Sequence, residues 1–87
     1  MTEKVQLVAL TGTQLRAARG LLRWSQSDLA KAAGISPETV KRLEAADGRL
    51  ATLTTTERAL EAALGGGGVI FIDENGEGPG VRLRKAK

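Results

Sequence analysis

The side chains that carry most protein chemistry are either missing from this sequence or scattered through it. It holds no cysteine and no histidine. That removes disulfides, thiolate and imidazole metal sites, Cys-His and Ser-His nucleophiles and imidazole general bases. Ten carboxylates remain, but they stand among basic neighbours and no pair is isolated in an apolar setting. A carboxyl needs burial or a like charge to be tuned for acid–base work. Carboxylate chemistry stays possible in principle, but no catalytic, metal or cofactor site stands out, and a non-enzymatic role is expected.

The basic residues are better organised. Net charge is +3 over 87 residues. A slight excess of this kind is common, so its distribution says more than its size. Between Arg16 and Arg49 stand seven bases (Arg16, Arg19, Arg23, Lys31, Lys41, Arg42, Arg49) and four acids (Asp28, Glu38, Glu44, Asp47). The whole surplus sits in that stretch, and the rest of the chain sums to zero.

The elements that must hold these residues announce themselves by their caps. Thr11 and Gln14 have capping-box spacing, and Leu15, Ala18 and Leu22 follow at helical intervals, giving a helix over 12–23. Ser25 and Asp28 repeat the signal for a second helix, with Leu29, Ala30 and Ala33 inward and Gly34 as its left-handed stop. Only Ile35 then intervenes before Ser36, an N-cap, with Pro37 at the first helical position and Glu38 at the positive end of the dipole. This third helix runs over 37–45, its buried stripe set by Val40 and Leu43. After a loop at 46–50, Thr52 is expected to cap a fourth helix carrying Leu53, Ala59, Leu60, Ala63 and Leu64. Two short capped helices joined through Gly-Ile-Ser cannot be coaxial, and the product is helix-turn-helix geometry.

At these residues the sequence resembles a known family. Leu15-Arg-x-x-Arg19, Trp24-Ser-Gln-x-x-Leu-Ala30, Ala33-Gly-Ile-Ser36 and Thr39-Val-x-x-Leu-Glu44 are similar to the Cro/CI-type, or xenobiotic-response-element, helix-turn-helix regulators. The resemblance covers about half the chain. It implies a mostly α, lambda-repressor-like bundle of about four short helices, which a C-terminal β-hairpin read from residues 69–84 follows. It also implies double-stranded DNA as partner, with the third helix in the major groove. On that reading Gln26 anchors a phosphate, and the Ser36 and Thr39 hydroxyls meet backbone or base. Pro37 is structural, with a thymine methyl within reach of its ring as the alternative, Glu38 accepts from cytosine, and Lys41 and Arg42 face outward with Arg42 suited to guanine. Arg16 and Arg49 become phosphate contacts, which position the protein without reading sequence. Each of these charges has a plainer alternative as a solvated surface group, and Glu38 as a compensator of the helix dipole. Arg19 and Glu44 match a structural ion pair of the family, and Trp24 a core position.

Beyond residue 64 the composition changes. Gly65–Gly68 reads as a hinge, since four glycines do not favour helix. It is no phosphate-binding loop, because it lacks the Gly-Lys-Ser/Thr ending and leads into a strand. Val69, Ile70, Phe71 and Ile72 form an apolar strand, and Val81-Arg-Leu-Arg84 alternates, so 69–84 is a hairpin with a long loop. Residues 85–87 are a basic tail, either solvated or touching phosphate. Residues 1–10 form an N-terminal arm, with Val5-Gln-Leu-Val8 as a candidate strand. Val69, Ile70, Phe71, Ile72, Val81 and Leu83 are too apolar for an open hairpin, and a core this small gains from a second copy. A homodimer through the hairpin is expected, with a protein partner gripped there as the competing use. No run is long enough to span a membrane, and the start makes a poor signal peptide, so a cytoplasmic location is expected.

Overall fold

The computed structural model describes residues 10–85. They form four helices, α1 (Gly12–Leu22), α2 (Gln26–Ala33), α3 (Pro37–Glu44) and α4 (Thr54–Gly66), followed by strands β1 (Val69–Ile72) and β2 (Gly80–Leu83). The strand expected at Val5–Val8 lies outside the described residues.

The first three helices start where hydroxyl caps stand. Thr11 and Ser25 each complete a reciprocal capping box, with Gln14 and Asp28. Ser36 accepts from the Thr39 N–H at 3.1 Å, with Pro37 next to it in the first turn. Gly34 takes φ 73°, and its N–H closes onto the carbonyls of Ala30 and Lys31, which turns the chain between α2 and α3. The end of α1 differs from expectation. Arg23 lies beyond the helix in the left-handed region at φ 60°, doing by strain what glycine does freely.

α4 departs further. Its N-cap is Leu53, with no side-chain cap, so Thr52 does not take the role expected of it. Leu53 is 71% exposed and adds nothing to the core. What steadies the first turn is Glu57, whose carboxylate sits near the positive end of the dipole and accepts the Leu10 N–H at 2.8 Å. At the other end the helix continues through Gly65 and Gly66, and the Gly67 N–H closes on the Ala63 and Leu64 carbonyls. The expected hinge over Gly65–Gly68 narrows to a turn at Gly67 and Gly68. That turn delivers β1 directly onto the helices.

Leu10, Leu15, Leu29, Leu60, Leu64 and Val40 are the large side chains at the centre, with Leu43, Leu50 and Val69 completing the same cluster. Each buried leucine of this kind is worth about 1.5–3 kcal/mol. Trp24 packs against the cluster half-buried. The hairpin is antiparallel, with Val69 opposite Leu83 and Phe71 opposite Val81. Opposed residues share a face, and Val69, Phe71 and Val81 turn theirs to the core. Gln14 anchors the hairpin to α1, its Nε2 donating to the Gly80 carbonyl at 3.0 Å.

Candidate nucleic-acid interface

α3 has two chemically distinct sides. Val40, Leu43 and Glu44 are buried, whereas Pro37, Glu38, Lys41 and Arg42 are exposed. Positions 38, 41 and 42 fall three and four apart, so they line up along one stripe of the helix. Among them only Arg42 has a side-chain partner, a long 3.4 Å contact to the Ala51 carbonyl. The stripe thus presents an acceptor and two cationic donors, free to meet something outside the chain.

The buried side is tied down. Arg19 of α1 grips Glu44 with two hydrogen bonds, Nε to Oε2 at 2.8 Å and Nη2 to Oε1 at 2.9 Å. Its third nitrogen caps the Trp24 carbonyl at 2.9 Å. Gln26, the first residue of α2, adds a bond from Nε2 to Glu44 Oε1 at 3.1 Å. Burial alone would push the Glu44 carboxyl up. The bonds from Arg19 and Gln26, with the charges of Arg19 and Arg16, outweigh it and hold the carboxyl below the ordinary glutamate range. The bond to Glu44 in turn raises Arg19, against the burial that opposes its charge. Among the described residues no buried side-chain polar atom lacks a partner.

Other candidate residues divide between the two sides. Ser36 Oγ and Thr39 Oγ1 lie 2.9 Å apart and share a hydrogen bond at the start of α3, so both hydroxyls serve the cap first. Arg16 is committed to a scaffold task. It donates to the Glu44 carbonyl, where α3 ends, and to Thr13 Oγ1 and Asp47 Oδ1 at 3.2 and 2.7 Å. Arg49 is exposed, and its guanidinium lies 3.6 Å from Glu57.

Three supports were not visible in the sequence. Gly12 carries the start of α1 so close to the loop after α3 that a Cβ there would collide with the Ala46 and Leu43 carbonyl oxygens. Its only sequence signal is a glycine where a better helix former would be expected. Glu57 carries no sequence signal of its role, yet it is buried and accepts the Leu10 N–H. Gln14 is legible as a capping residue, whereas its bond to Gly80 has no local signature.

A short helix braced at a steep turn, with one side clamped and the other offered to solvent, is the arrangement that reads a DNA groove. A family model described as "Helix-turn-helix domain" matches residues 11–68. The chain belongs to the helix-turn-helix domain family. No curated protein matches it. The matched span contains all four helices and the turn into β1, so it includes α4 as well as the α2–α3 pair. Membership supports a DNA-binding regulator. Among the described residues no helix is long and apolar enough to cross a membrane.

Proposed function

We propose that this protein is a sequence-specific transcriptional regulator of the Cro/CI type. It binds a pseudo-palindromic operator as a homodimer and represses by occupying the site where polymerase must act. The observation that carries this reading is the open stripe of α3. Glu38, Lys41 and Arg42 keep hydrogen-bonding groups in solvent on a helix whose opposite side is locked to the scaffold. Arg42 is the residue for guanine, through O6 and N7, and Glu38 for cytosine N4. Lys41 and Arg49 contact phosphate, with Ser36, Pro37, Thr39 and Gln26 at the helix entrances. Arg16 stands behind them, holding the end of α3 at the groove. The protein acts in the cytoplasm without a cofactor and catalyses nothing.

Two reading helices of a dimer sit one helical turn of DNA apart, about 34 Å. Selection of bound sequences from a random duplex pool tests this directly. Wild type is expected to return two half-sites at that spacing. Arg42→Ala and Glu38→Ala are each expected to relax one position per half-site, at about 1–3 kcal/mol of lost discrimination. Weak, salt-sensitive binding without a motif would overturn the reading.

A further inference from the structure

β1 and β2 make a sheet of two strands, so among the described residues each strand keeps one unpaired edge. The register decides which groups lie there. The Arg84 N–H donates to the Gly68 carbonyl at 2.6 Å and Val69 lies opposite Leu83, so even-numbered residues exchange the bonds inside the hairpin. The main-chain groups of Val69 and Phe71 therefore point off β1, and those of Val81 and Leu83 point off β2. Isolated hairpins are marginal in water, and open edges invite pairing.

The two edges are unequal. β2 carries exposed Arg82, runs into Arg84 and Lys85, and is preceded by Pro79, which has no N–H to give. Two such strands laid antiparallel through Arg82 or Leu83 would set arginine against arginine, a destabilising cross-strand pair. β1 is Val-Ile-Phe-Ile with no charge. Beside it lies an open groove of about 470 Å³, walled by Val69 and Phe71, floored by Glu61, Ala62 and Gly65 of α4, and lined also by the cations Arg58 and Arg84.

We propose that this edge receives β1 of a second copy, antiparallel about a two-fold axis through Ile70. This rests on the homodimer of the proposed function and names its surface. Val69 then lies opposite the partner subunit's Phe71, each such pair exchanging both main-chain hydrogen bonds, and that phenylalanine enters the groove over Ala62 and Gly65. The Val69 side chain is spent in the chain's own core at 2% exposure, so its contribution is main-chain only. Charge supports the antiparallel sense. One end of the hairpin carries Arg84 and Lys85, the other Asp73 and Glu74, and the two-fold sets the acidic end of each copy beside the basic end of the other. Glu61, in the floor, is held above the ordinary glutamate range by burial and by the charges of Glu57 and Asp73, against Arg58. A basic strand end arriving beside Asp73 relieves that repulsion.

The absence of native cysteine makes single-cysteine variants of the full chain clean reporters. Ile70 faces its own copy in a non-hydrogen-bonded pair with Cβ atoms about 4.5–5.5 Å apart, close to disulfide reach. Ile70→Cys is expected to give a covalent dimer on mild oxidation, and Arg82→Cys to stay uncrosslinked. Ile70→Lys should weaken self-association in sedimentation by at least about fivefold, with unchanged helical circular dichroism. A wild-type dimer that crosslinks through Arg82→Cys, or through neither variant, overturns the β1 assignment and leaves the dimer standing. A wild type monomeric at every concentration overturns the dimer as well, and operator selection then reports separately on DNA reading.

Discussion

Glu38 and Glu44 stand on one eight-residue helix, six residues apart and on different faces, in opposite circumstances. Glu44 is 3% exposed and held by Arg19 and Gln26, with every contact supplied by the chain itself. Glu38 is in solvent, and among the described residues its carboxylate has no side-chain ion-pair partner. The same division separates the arginines. Arg19 has three donors engaged, whereas Arg42 has one long contact. A charge that finishes its hydrogen bonds inside the molecule fixes geometry. A charge that does not is available to a partner, and rigidity on the closed side gives the open side a defined position from which to discriminate.

The comparison breaks most visibly on the closed side. Arg19→Ala strands the Glu44 carboxylate in a buried site with only Gln26 left to it. Removing one partner of a buried pair costs about 3–5 kcal/mol. Arg19 retains 22% exposure, so the loss should fall at the lower end. Urea unfolding followed by circular dichroism measures it, and a loss under 1 kcal/mol, the scale of a surface pair, would remove the distinction between the two sides.

Acid gives a gentler version of the same test. Glu44 titrates below its ordinary value in the folded protein. A depressed folded value means that the unfolded chain takes up the proton first. The stabilisation is therefore complete above the unfolded value of about 4.3 and is lost as pH falls through the folded one. Glu44→Gln keeps the shape and removes the titration. The variant is expected to be less stable at neutral pH and to lose less further stability on acidification. Parallel stability–pH curves for variant and wild type would show that other carboxylates carry the acid response.

What the sequence disclosed and what it hid follow from the range of the interactions. Ser25, Ser36 and Gly34 act within four residues of themselves, so the reader helix and its turn are legible from spacing alone. Gln14 reaches Gly80 across 66 residues and Glu57 reaches Leu10 across 47, and no local pattern encodes either. The Arg19–Glu44 pair spans 25 residues, and it is the family resemblance, not spacing, that points to it. Thr52 looked like a cap because threonine often is one, but α4 starts later, after Leu53, with no side-chain cap. Gly65 and Gly66 looked like helix breakers because propensity opposes them. Burial of Leu64 and Val69 on either side outweighs a cost of about 1 kcal/mol per glycine. Of the proposed interface, the outward side of α3 was legible and the commitments of its neighbours were not: nothing in the spacing of Arg16 shows that it caps the end of α3.

The smallest effect falls on Glu38, and there the two roles of a first-turn acid separate. If the carboxylate serves only the helix dipole, Glu38→Gln costs about 0.3–1 kcal/mol of stability and leaves sequence preference alone. If it reads a base, the same substitution exchanges a pure acceptor for a group that both donates and accepts. Cytosine offers only a donor at that edge of the groove, whereas adenine offers a donor and an acceptor side by side, matched by an amide. Glu38→Gln is therefore expected to shift one half-site position from cytosine toward adenine, while thermal stability moves by no more than the dipole term. A stability change with an unaltered motif would return Glu38 to the scaffold and leave Arg42 as the reading residue.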